Sequence, residues 1–160
     1  MRMAIPALAF LVATCGSESG TPGSQQSVAD VKQVMTAILE PAAETYWDAV
    51  GTVIDSAGTH EIAPQDSAEW IAVWRAALVV AESGNLLMME GRARDRDEWM
   101  RLSRAMVDAG TRAARAAETR DAAAVFEAGG QVYEACTACH SAYARETLRP
   151  SHAPEGKPEA

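Results

Sequence analysis

Cys136, Cys139 and His140, within Cys136-Thr137-Ala138-Cys139-His140, are the residues of this chain whose types and spacing most directly suggest chemistry. On a helix, positions i, i+3 and i+4 share one face, so two thiols and an imidazole would point the same way. Covalent c-type haem attachment needs that arrangement: each thiol forms a thioether with one vinyl group while the imidazole of His140 reaches the iron. The chain has 160 residues, with three Cys and three His, so a chance C-x-x-C-H is expected only about 0.001 times. Two other uses of the same residues compete. A redox-active C-x-x-C disulfide belongs at the start of a helix in a βαβ setting, which this sequence lacks. A zinc site would need further soft ligands, and beyond Cys15 only His60 and His152 remain.

That shared face exists only if the motif lies on a helix. From Val28 onward apolar residues recur at steps of three and four, with almost none of the alternation that strands require. The first helix is predicted to open on a Ser27/Asp30 capping box and to present Val31, Val34, Met35, Ile38, Ala42, Tyr46, Ala49, Val50 and Val53. Pro41 should kink it or start a second segment, with the stripe keeping its phase across the proline. A loop from about Ser56 to Gln65 then leads to Asp66, the cap of a second helix bearing Trp70, Val73, Trp74, Ala77, Val80 and Leu87 and stopping at Gly91. The third helix starts near Asp95 or Asp97 and presents Trp99, Leu102, Met106, Ala109 and Ala113. The fourth runs from about Asp121 to Leu148, with Val125, Gly129, Val132, Cys136, Cys139, His140 and Tyr143 on its apolar face. Four such helices with mostly short connections predict an all-α fold, an antiparallel up-and-down four-helix bundle over residues 28–149.

Composition and the chain ends bound the setting. Hydrophobic residues at 48% and charged residues at 22% make an ordinary globular mixture. The net charge of −8 argues against nucleic acid as a partner and suits a basic one. Residues 1–14 read as a signal peptide, with Arg2 before an apolar run from Ala4 to Ala13 that is too short to span a bilayer. The run ends in Val12-Ala13-Thr14-Cys15, which resembles the lipobox of bacterial lipoproteins. That resemblance implies lipidation of Cys15 and a periplasmic, membrane-anchored lipoprotein, and Gly16 after the Cys points to the outer membrane. Residues 15–27 are Gly/Ser-rich, as a flexible tether would be. Residues 150–160 hold three prolines and little apolar content, and are expected to be a disordered tail.

The motif's place on the last of four helices resembles the class II cytochromes c, the cytochrome c′ and cytochrome c-556 family. The resemblance covers about Val28 to Leu148 and is most specific from Val132 to Tyr143. It implies one covalent haem c among the helices, with Cys136 and Cys139 as thioether donors, His140 as proximal iron ligand and a distal face towards the first helix. The family usually has a basic residue directly after the tyrosine that matches Tyr143. Here Ala144 takes that place and Arg145 follows, roughly 100° further around the helix.

Two branches of the family imply two functions. In the c-556 branch a methionine of the first helix ligates the iron; Met35 is the candidate, and such ligation suits a one-electron carrier working with a basic or membrane-bound redox partner protein. In the c′ branch the iron is five-coordinate, Met35 would be apolar filling, and the protein would bind nitric oxide or carbon monoxide for scavenging or sensing. An enzyme ranks below both, because the distal helix offers no His and Arg pair for O–O cleavage. Met88, Met89, Met100 and Met106 read as core packing, His60 and His152 as solvated, and Arg92, Arg94 and Arg96 as a basic surface patch. Family members are often dimers, so the resemblance also implies a homodimer as one available state.

Overall fold

Helix α1 (Val31–Val34) opens on Asp30, whose carboxylate accepts from the Gln33 amide at 2.8 Å while the Gln33 side chain accepts from the Asp30 amide at 2.9 Å. The capping box is therefore Asp30/Gln33, three residues later than the predicted Ser27/Asp30. Ser27 instead donates its hydroxyl to the Glu90 carbonyl at 3.0 Å, tying the chain entry to a distant turn. The computed structural model describes residues 26–148. The predicted signal peptide, Cys15, nearly all of the tether and the tail at residues 150–160 lie outside the described residues.

The next five residues, Met35–Leu39, widen into a π-turn before helix α2 (Glu40–Trp47) resumes. Pro41 explains the widening. Its ring would crowd the Ala37 carbonyl and it offers no amide hydrogen, so one extra residue in the turn relieves the conflict. Of the two outcomes predicted for Pro41, a kink or a second segment, the structure takes the second, with Pro41 in the first turn of α2. Leu39 rather than Ile38 is buried before the proline, while Ala42, Tyr46 and Val50 beyond it are buried as predicted, so the stripe keeps its phase across Pro41 apart from that one position.

The first helix also stops sooner than predicted, at Trp47. Val53 lies not on that helix but in a hairpin of β1 (Gly51–Asp55) and β2 (Gly58–Ile62), antiparallel, with Val53 opposite His60. The all-α expectation is corrected here. Thr52, Val53, Ile54, Thr59 and Ile62 are β-branched and favour extended backbone. Between the strands, Asp55 accepts from the amides of Ala57 at 2.7 Å and Gly58 at 3.1 Å, and Gly58 supplies the positive φ of 132° that the reversal needs.

Three 22-residue helices follow: α3 (Ser67–Met88), α4 (Glu98–Thr119) and α5 (Ala122–Tyr143). Asp66 caps α3 as predicted, accepting from the Ala68 and Glu69 amides at 2.8 and 2.9 Å, and Asp121 does the same for α5. Between them Arg120, left-handed with φ 55°, ends α4. Helix α5 ends at Tyr143, and Arg145–Leu148 form a separate 3₁₀ turn rather than the last turn of a longer helix.

The packing is most extensive between α3 and α4, then between α4 and α5; α2 lies against α3 and, over a smaller area, against α5. The molecule is therefore mainly helical, with about four helices packed against each other and one small hairpin. Its main core joins Leu39, Tyr46, Val80, Met106, Val125 and Val132. Many positions between α3 and α4 are alanine or glycine, which lets these two backbones approach closely.

Candidate functional site

The last two turns of α5 carry both thiols and the imidazole. Cys139 is buried, Cys136 is half-buried against the main core, His140 is half-buried, and both cysteines are free thiols. Burial, with a smaller contribution from its neighbour Cys139, pushes the Cys136 thiol up to about 11, and burial also raises Cys139. Redox-active C-x-x-C pairs sit instead at helix N-termini, where the dipole lowers the thiol pKa. Here the pair lies towards the C-terminal end and its pKa values move the opposite way. Nor do three His, Cys, Asp or Glu side chains converge as a metal cluster among the described residues. What α5 presents at this end is a donor set of two thiols one turn apart with an imidazole beside the second.

At this end of the molecule Val34, Leu87 and Trp99 form a small buried cluster, onto which Met35, Met100 and Tyr143 pack from the sides. Met35 therefore belongs to the same end as the thiol pair and touches both cores, half-buried at the first position of the π-turn. Met100 shares this neighbourhood, although its sequence position suggested only packing. Met106 is buried in the main core, and Met89 accepts a hydrogen bond from the Arg92 guanidinium at 3.1 Å.

Tyr143, three residues beyond His140, is anchored twice. Its ring meets Trp99 edge-on at a centroid distance of 5.0 Å, and its hydroxyl donates to Asp95. The other Asp95 oxygen accepts from the Asp97 and Trp99 amides at 2.9 and 3.0 Å, so Asp95 rather than Asp97 caps the start of α4. The Tyr143 hydrogen bond, then that of the Trp99 amide, holds the Asp95 carboxyl below the usual 3.8, while the same bond pushes Tyr143 up to about 12.

The depressed Asp95 contributes stability above its unfolded pKa, lost as pH falls through the folded value. Raised Tyr143 contributes stability below about 10, lost as pH rises towards about 12. Tyr143→Phe is expected to lower the thermal midpoint at neutral pH and to leave the wild-type midpoint unchanged in strong acid, where Asp95 is already protonated. Circular dichroism melts across pH check this; a loss as large in strong acid as at neutral pH would show that the ionised Asp95 pairing contributes nothing. Water screens both groups, so the change is modest.

A groove of about 310 Å³ runs between α2 and α5, lined by Trp47, Val50, Phe126, Gly129, Gly130 and Tyr133 among others. Its α5 wall leads towards Cys136, but its lining stops at Tyr133 and includes neither thiol. Trp47 donates to the Gly129 carbonyl at 3.0 Å, and Phe126 and Tyr133 remain 68% and 62% exposed. Of the other tryptophans, Trp99 is buried and donates to the Leu87 carbonyl at 2.8 Å, while Trp74 donates to Glu118 at 3.1 Å.

Arg92 departs most from the sequence expectation. It is only 6% exposed and donates to the carbonyls of Ala29 at 2.8 Å and Leu86 at 3.0 Å, joining the chain entry to the α3 end instead of sitting in a solvated patch. His60 is exposed, on β2 rather than in a loop, 3.4 Å from Asp55. Asp95 and Arg92 were not singled out for these roles, and their long-range partners leave no local sequence signal. Comparison of the chain with protein-family models, curated proteins and solved structures finds no match.

Proposed function

We propose that this protein is an exported c-type cytochrome that carries one electron at a time on a single covalent haem, within an antiparallel up-and-down four-helix bundle. Cys136 and Cys139 would hold the haem through two thioethers, each thiol adding across one vinyl group with no atom lost. His140 would serve as the proximal iron ligand and Met35 as the distal one. The haem supplies a reversible one-electron couple, and the chain holds it and shields it from water. The observation that carries this reading is the C-x-x-C-H set on the final turns of α5, at the end of the molecule where Met35 and Tyr143 pack on one cluster. A half-buried methionine beside a π-turn is less committed to packing than Met106 in the core.

The remaining attributes rest on sequence. Lipid on Cys15 would hold the protein at the periplasmic face of a membrane, most consistently the outer one, and its acidic charge suits a basic or membrane-bound electron partner. Ile71, Leu78 and Val79 on α3 are exposed enough to serve a homodimer.

The optical spectrum tests the function. Wild type from a haem-maturing host is expected to show six-coordinate low-spin haem, and Met35→Leu to become high-spin and to bind carbon monoxide rapidly. Met100→Leu is the control and should stay low-spin. A high-spin wild type would give the lead to five-coordinate capture of nitric oxide or carbon monoxide, and a spin change in Met100→Leu alone would transfer the ligand role to Met100.

A further inference from the structure

Beyond Tyr143 the chain turns back on itself. Ala144 leaves the helix with φ −149° and ψ 48°, and the turn that follows is held by the Thr147 amide donating to the Ala144 carbonyl at 3.0 Å. Arg145 braces it, its Nε donating to the Ser141 carbonyl at 2.8 Å. The reversal returns Thr147 to a residue seven positions earlier: its Oγ1 lies 3.2 Å from Nδ1 of His140. The same Oγ1 is 2.8 Å from the Ala144 carbonyl oxygen.

A threonine hydroxyl has one hydrogen to give and two lone pairs to offer. The Ala144 oxygen can only accept and is the nearer partner, so the hydroxyl hydrogen goes to it. Oγ1 then faces Nδ1 with a lone pair, which makes Nδ1 the donor. In a neutral imidazole this leaves the free lone pair on Nε2, the nitrogen further from the backbone.

We propose that Thr147 is a positioning residue for His140: through Nδ1–H···Oγ1 it fixes the ring's tautomer and orientation, so that Nε2 is presented as the iron-binding nitrogen. The proposal takes its ligand role for His140 from the haem reading above, while the hydrogen bond stands without it. An imidazole that donates from Nδ1 is a better electron donor at Nε2, which favours ferric iron. The 3₁₀ turn thereby acquires a task beyond ending α5.

The test uses the full chain from a haem-maturing host, as wild type, Thr147→Val and Thr147→Ser. Valine keeps the shape and removes the hydroxyl; serine keeps the hydroxyl. At a fixed ambient potential, the ratio of ferrous to ferric haem is expected to rise several-fold in Thr147→Val and to return to the wild-type value in Thr147→Ser. A Thr147→Val protein that titrates with wild type overturns the proposal, as does a Thr147→Ser protein displaced as far as valine. Should wild type carry no haem, the haem reading fails separately, and nitrogen NMR of the His140 ring in the same chain decides the tautomer. Nδ1–H in wild type, giving way to Nε2–H in Thr147→Val, supports the positioning role; Nε2–H in wild type overturns it.

Discussion

A chain with both Cys136→Ala and Cys139→Ala, expressed in a haem-maturing host, is expected to carry no covalent haem, so that a denaturing gel stained for haem peroxidase activity shows a band only for wild type. The readout is all or none because detergent strips haem held by ligation and packing alone, whereas a thioether survives. Each single variant retains one thiol and should stain at reduced intensity. Cys15 is the third cysteine of the chain, and Gly16 and Ser17 after it give no second C-x-x-C-H. A stained double variant would therefore overturn attachment at this pair. An unstained wild type would overturn the cytochrome reading and reopen the disulfide and zinc alternatives for the same two thiols.

The helices and the donor set were legible because both depend on local spacing. An apolar step of three or four residues marks α3, α4 and α5, and the Asp66 and Asp121 caps lie beside the amides they satisfy. Pro41 and the second segment it starts were legible too, but the π-turn ahead of it was not. Whether a proline bends a helix or widens one turn depends on how the carbonyl behind it is accommodated, and here a π-turn moved the buried position from Ile38 to Leu39. The hairpin was hidden because Val53 continued the helical stripe by coincidence of spacing, although Asp55 and Gly58 were turn signals in plain view. Arg92, Asp95 and Thr147 owe their roles to partners brought close by folding, up to 63 positions away for Arg92 and 48 for Asp95. No periodicity encodes such contacts.

Two glycine-to-alanine substitutions in helices are expected to move stability in opposite directions. At Gly130, on exposed α5 surface, an added Cβ meets nothing within 4 Å. Alanine there should stabilise the protein by roughly 0.5–1 kcal/mol, the usual gain from replacing glycine inside a helix. At Gly110 the same Cβ would lie 2.4 Å from the Ala81 amide nitrogen and 2.7 Å from its Cα. Those are backbone atoms, which cannot rotate aside as a flexible side chain would, so α3 and α4 must separate. Separation opens the alanine-lined contact around Ala77, Ala81, Ala109 and Ala113, all buried, and its gaps lose dispersion contacts on both helices. Overpacking of this kind costs about 1–3 kcal/mol, which outweighs the helix-propensity gain of roughly 1 kcal/mol. Gly84 repeats the constraint one layer away, where a Cβ would fall 2.7 Å from the Ser103 carbonyl oxygen. Denaturant titration of Gly110→Ala, Gly84→Ala and Gly130→Ala should therefore give two midpoints below wild type and one above. A Gly110→Ala midpoint equal to that of Gly130→Ala would mean that α3 and α4 do not approach as closely as described, and that the small residues between them are there for propensity rather than fit.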